Sequence, residues 1–234
     1  MRTRQGKWLI FGTFLLVIIL GGAILWDRGQ KEPTYNGKAL TKWLNELAGL
    51  NYSKRWEPQM EQVQAVRAIG TNALPWLLGP FRSDGAGLRG DLNQLLEKQS
   101  IIKFRFLDIN ARLSRATGGF QALGELAEPA IPVLLSLVDK KPGYVPGALA
   151  AIGPAAVPAL RQCLTNTHSY ATSVGQIMPI PGNTIAGIHN AINAGRLSKS
   201  DVADLMPAIR DWAAQSTNSN AGRYAADFLR AFDH

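Results

Sequence analysis

The residue types best suited to chemistry are few here: one cysteine, Cys163, and three histidines, His168, His189 and His234. A nucleophilic thiol needs a base beside it, and a metal ion needs three or four converging donors. Neither pattern is written in the chain. The histidines lie far apart and none precedes a glutamate. There is no phosphate-binding loop, no nucleophile elbow, no H-E-x-x-H pair and no dinucleotide fingerprint. A lone cysteine excludes an internal disulfide framework and a multi-cysteine metal site. Cys163, between Leu160 and Leu164, reads as a small buried thiol rather than a nucleophile. The expectation is therefore no catalytic residue, no cofactor and no metal.

Charge narrows the partners. The 234 residues carry 25 basic and 17 acidic side chains, formally +8, with a pI near 9.8. Arg2, Arg4 and Lys7 account for three of the 25, which leaves 22 against 17, or +5, spread over the rest. The longest basic runs are pairs, Lys54–Arg55 and Lys140–Lys141. Nucleic-acid affinity needs several clustered phosphate contacts, so no nucleic-acid partner is expected. Lys103 and Arg105, alternating with Ile102, Phe104 and Phe106, fit a helix with one buried face better than a base-stacking platform.

Trp8 to Trp26, "WLIFGTFLLVIILGGAILW", is 19 residues without a charge. As a helix it is about 28 Å long, close to the ~30 Å hydrocarbon core. Trp8 and Trp26 are placed to anchor its two ends at the membrane interfaces. A cleavable signal peptide competes, with Gly21-Gly22-Ala23 as the small residues, but apolar character resumes at Ile24-Leu25-Trp26 and no Ala-x-Ala occurs. An uncleaved signal anchor is the preferred reading. Basic residues 1–7 keep the N-terminus cytoplasmic and place the body outside, since Asp27 and Glu32 dilute Arg28 and Lys31. The organisation is then a basic flank 1–7, a transmembrane anchor 8–26, a polar linker 27–38 and a body 39–234.

In the body, Leu40, Trp43, Leu44 and Leu47 make an amphipathic helix that Gly49 can stop. A phrase then recurs: "AIGTNALPWLL" (68–78), "ELAEPAIPVLL" (125–135) and "AIGPAAVPAL" (151–160). Aligned on Pro75, Pro132 and Pro158, the small residue five places earlier is Gly70, Ala127 or Gly153. Beyond the proline, Leu77, Leu134 and Leu160 align, then Phe81, Val138 and Leu164. A small residue turns the chain after one helix, Asn72 can cap the next, and proline is tolerated in a first turn whose N–H groups have no helical partner. Each unit is a helix pair whose apolar stripe is buried only by stacking on its neighbours.

The prolines are 57 residues apart from Pro75 to Pro132 but 26 from Pro132 to Pro158. The excess is an insertion at about 83–110, read as helical. "TNTHSYATSVGQIMPIPGN" (165–183) reads as loop. Residues 184–195, 200–215 and 220–232 read as degenerate terminal helices, with Ser200 capping the second. The fold class expected is all-α: an α-solenoid of about four helix pairs preceded by one transmembrane helix.

"VQAVRAIGTNALPWLL", "FQALGELAEPAIPVLL" and "ALAAIGPAAVPALRQCL" resemble HEAT repeats, and "YNGKALTKWLNEL" after an apolar helix looks like bacterial membrane-anchored HEAT-repeat proteins. The resemblance covers about 35–165 well and 184–232 weakly. It implies a protein-binding scaffold, a membrane-tethered interaction module with an unknown protein partner and no catalysis. HEAT-like phycobilin lyases and DNA glycosylases are the enzyme alternatives, and an exported soluble protein follows if the signal is cleaved. On the second helices, Trp76, Arg161 and Gln162 exceed what the repeat needs and are the candidate partner contacts. Trp76 has a competing reading, as filler of the gap where Val133 and Ala159 stand in the other copies.

Overall fold

The computed structural model describes residues 31–49, 60–83, 109–171, 177–216 and 219–233. The chain divides into two compact units, Met1–Pro33 and Thr34–His234. Trp8, Trp26 and the whole apolar span lie outside the described residues, as does most of the 83–110 insertion. No helix among the described residues is long and apolar enough to cross a membrane.

Helices dominate the second unit. They are α1 Leu40–Gly49, α2 Glu61–Ile69, α3 Leu74–Arg82, α4 Ile109–Leu123, α5 Ile131–Ser136, α6 Val145–Ile152, α7 Val157–Leu164, α8 Ile180–Asn193, α9 Met206–Gln215 and α10 Asn220–Asp233. Two small antiparallel pairs join them, β1 Thr34–Tyr35 with β2 Lys38–Ala39, and β3 Ser169–Ala171 with β4 Ile177–Pro179. The all-α expectation holds in its coarse form, with two corrections. Residues 34–38, read as linker, form a hairpin: Asn36 (φ 50°) and Gly37 (φ 73°) both take the left-handed conformations that a two-residue type I′ turn requires. The 165–183 stretch, read as loop, carries the second hairpin and the start of α8, four residues ahead of the expected Thr184.

The recurring phrase is a helix, a 3-10 turn and a second helix opened by proline. Four such pairs occur among the described residues: α2–α3, α4–α5, α6–α7 and α8–α9. Pro75, Pro132, Pro158 and Pro207 all stand in the first two positions of the second helix. The fourth copy, at "DLMPAI", was not recognised in the sequence. Its proline lies twelve residues beyond Gly195, against five beyond the turning glycine in the first and third copies, which hides the phrase.

The alignment of the second copy is also corrected. Gly70, Gly124 and Gly153 have φ of 63°, 59° and 109°, so Gly124, and not Ala127, turns the chain after α4. A longer 3-10 segment, Gly124–Ala130, absorbs three extra residues. Leu123, fully buried, therefore takes the place of Ile69 and Ile152, while Leu126 is left 42% exposed. Asn72 does not cap α3, which starts from Ala73 without any side-chain bond. Ser200 does not cap α9 either. Its hydroxyl lies 2.8 Å from that of Ser198, and the helix begins only at Met206.

The core follows the spacing. Leu77, Leu134 and Leu160 are 0–1% exposed, and Phe81, Val138 and Leu164 are buried one turn later. Helix α6 packs on α4, α5, α7 and α8 and is buried over nearly its whole length. Its approach to α8 is backbone against backbone: a Cβ at Gly187 would stand 3.1 Å from the Pro146 carbonyl and 3.2 Å from Gly147 Cα. At the other end α10 lies on α8 and α9, an unpaired last helix.

Candidate interaction surface

The three residues expected to meet a partner fall on α3 and α7. Trp76, on α3, is half-buried and packed against the core, as its aligned counterpart Val133 is. That geometry favours the gap-filling role over a free contact. Arg161 and Gln162, on α7, are exposed. The Arg161 guanidinium stands 3.8 Å from the carboxylate of Asp204, in the 3-10 turn that leads into α9. Both side chains are more than half exposed, so this ion pair contributes on the order of 1 kcal/mol or less. It links the third helix pair to the fourth, a partnership the sequence did not disclose. No hydrogen bond, ion pair or ring contact joins Trp76 to Arg161 or Gln162 among the described residues.

The groups that could do chemistry are dispersed. Cys163 is 1% exposed, and burial, reinforced by the Asp139 carboxylate, pushes its thiol up to about 11. That is the reverse of an activated thiolate. Asp139 instead accepts hydrogen bonds from the Asn166 amide at 3.0 Å and pairs with His168 Nδ1 at 2.9 Å. The bond with His168, and then that from Asn166, holds the Asp139 carboxyl below the usual 3.8. All three are surface groups tying the chain after α7 to the chain after α5. His189 Nδ1 lies 2.6 Å from the Tyr224 hydroxyl, joining α8 to α10. His234 lies outside the described residues, and no group of three metal-capable side chains occurs within them.

The most unusual charge is one the sequence did not mark. Arg196 follows the turning Gly195, and its guanidinium lies against Gly124, where a Cβ would come 3.0 Å from Nη1. Among the described residues its Nε and Nη2 are shut off from solvent and have no hydrogen-bond partner. Burial, and then repulsion from Arg67, lowers its pKa below the usual arginine value, and Glu125 opposes that shift. No local signal could have flagged it, because Gly124, Arg67 and Glu125 reach it only through the fold.

No known family model matches the chain, and no curated protein or solved structure is similar enough to count as a match.

Proposed function

We propose that this chain is a membrane-tethered scaffold: an α-solenoid of HEAT-like helix pairs, held by an uncleaved helix at Trp8–Trp26, that binds another protein outside the cytoplasm and catalyses nothing. The observation that carries the reading is the fourfold recurrence of helix, 3-10 turn and proline-opened helix. Stacked pairs of this kind create long surfaces whose shape is set by the backbone and whose specificity is set by exposed side chains. Arg161 and Gln162 are such side chains, held on a helix whose buried face is Ala159, Leu160, Cys163 and Leu164.

The partner is unknown. Crosslinking in native membranes followed by mass spectrometry should recover the same protein repeatedly with full-length chain, and Arg161→Ala with Gln162→Ala should reduce its yield. Absence of any repeatable partner, together with substrate turnover by the purified protein, overturns the scaffold in favour of an enzyme built on helix pairs.

A further inference from the structure

The residue three places after the opening proline divides the helix pairs into two halves. It is Leu78 and Leu135 in the first two pairs, but Arg161 and Arg210 in the third and fourth. Leu78 is 6% exposed and Leu135 is half-buried against the core, so the position turns inward where it is apolar. A guanidinium has no such option, because a buried charge without a partner gives up its hydration. Both arginines stay at the surface, and each reaches forward to a carboxylate of the next element. Arg161, on α7, stands 3.8 Å from Asp204, in the turn that leads into α9. Arg210, on α9, donates from Nη2 to Asp233 at 2.8 Å, at the end of α10.

The two ion pairs are one contact written twice, at the same repeat position and in the same direction along the chain. All four side chains keep more than half of their surface in water. Pairs of this kind shift an equilibrium by a factor of about two to five, and dissolved salt screens them. Leucine burial is not screened. The link between the second and third pairs uses a different position, where Asn166 and His168 meet Asp139. Arg161 and Gln162 share α7 with the first of the two ion pairs, so its closure alters the surface they present.

We propose that the C-terminal half of the stack is an ionic joint. The Arg161–Asp204 and Arg210–Asp233 clamps set how firmly α9 and α10 close on the elements before them. Rising ionic strength loosens both clamps and leaves the first helix pair fixed. The joint belongs to the fold and holds whatever the chain binds.

The test is amide hydrogen exchange of the full-length chain in detergent, read by mass spectrometry at one mildly alkaline pH. It compares about 0.01 M with about 1 M sodium chloride, between which the Debye length falls from about 30 Å to about 3 Å. Each rate is divided by that of the same peptide in the unfolded chain, which removes the salt dependence of the exchange chemistry. Peptides from 203–216 and 220–233 should exchange about two- to fivefold faster at high salt, and those from 61–82 should not. Peptides from 61–82 also report, in the same sample, that a variant is folded. Arg161→Leu, which writes the residue of the first two copies, should abolish the response of 203–216. Arg210→Leu should cut that of 220–233, where Lys199 still donates to the Phe232 carbonyl. Arg161→Asp should reverse the response of 203–216, since salt then relieves a repulsion. Adding Asp204→Arg to it should restore the wild-type response, because the attraction survives the exchange of its ends. The joint is overturned if 203–216 and 220–233 respond no more than 61–82. It is equally overturned if either leucine variant keeps the full wild-type response, or if the swapped pair fails to restore it.

Discussion

Burial and the Asp139 charge hold the Cys163 thiol near a pKa of about 11. At pH 8 its thiolate fraction is on the order of one in a thousand. A disulfide reagent should label the native protein very slowly and the guanidinium-unfolded protein at the rate of a free cysteine, and fast native labelling contradicts the burial. Asp139 gives a pH signature. Its carboxyl is held below 3.8 by bonds it loses on unfolding, so its contribution is present above that value and disappears as pH falls through the folded one. Asp139→Asn should therefore flatten the acid limb of stability slightly without moving stability near neutrality by much, because the pair is largely exposed. Trp76 separates filler from contact. Truncating a fully buried tryptophan costs about 3–5 kcal/mol, so a half-buried ring predicts about 2 kcal/mol for Trp76→Ala in chemical denaturation. A loss below about 0.5 kcal/mol returns Trp76 to the contact surface.

The elements are held by close approaches that only glycine allows. Gly222, on α10, faces the end of α9 so tightly that an added Cβ would lie 1.9 Å from the Ser216 carbonyl oxygen. Backbone cannot yield as a side chain does, so Gly222→Ala should destabilise by more than about 2 kcal/mol and detach the last helix first. Gly79, inside α3, has no described residue within 4 Å of its Cβ position. Alanine there gains helix propensity, so Gly79→Ala should stabilise by about 0.5–1 kcal/mol. The opposite signs, measured by urea titration, test whether the helix contacts described are those in solution.

At the scale of the whole molecule, the membrane reading makes a prediction independent of the fold. A phosphatase fused after residue 234 should be active outside the cytoplasm, and the full-length protein should sediment with membranes. A soluble product shortened near Ala23 instead identifies a cleaved signal peptide. Circular dichroism of the full chain should be dominated by helix, since the described strands are only two or three residues long. A β-dominated spectrum contradicts the helix-pair architecture.

What the sequence determined by itself was set by local physics. Proline in a helix's first turn, a small residue before it, leucine two places after it and an apolar residue six places after it have steric consequences within a few residues. They placed three helix pairs and their buried stripes. The Asn36-Gly37 turn is equally local, but a polar stretch after an apolar one reads as linker, and its hairpin shows only in the fold. The tertiary structure decided what depends on distant neighbours. Ala127 and Gly124 both satisfy the requirement for a small residue, and only the packing of the longer 3-10 turn against its neighbours selects Gly124. The two helices of the fourth pair are legible as degenerate terminal helices, but not as a copy of the phrase, because the added turn residues are tolerated by the fold and carry no phrase of their own. Arg161 found Asp204, and Arg196 came to lie unpaired against Gly124, because stacking joins segments more than forty residues apart. A charge's environment is a property of that assembly, and residue spacing along the chain does not encode it.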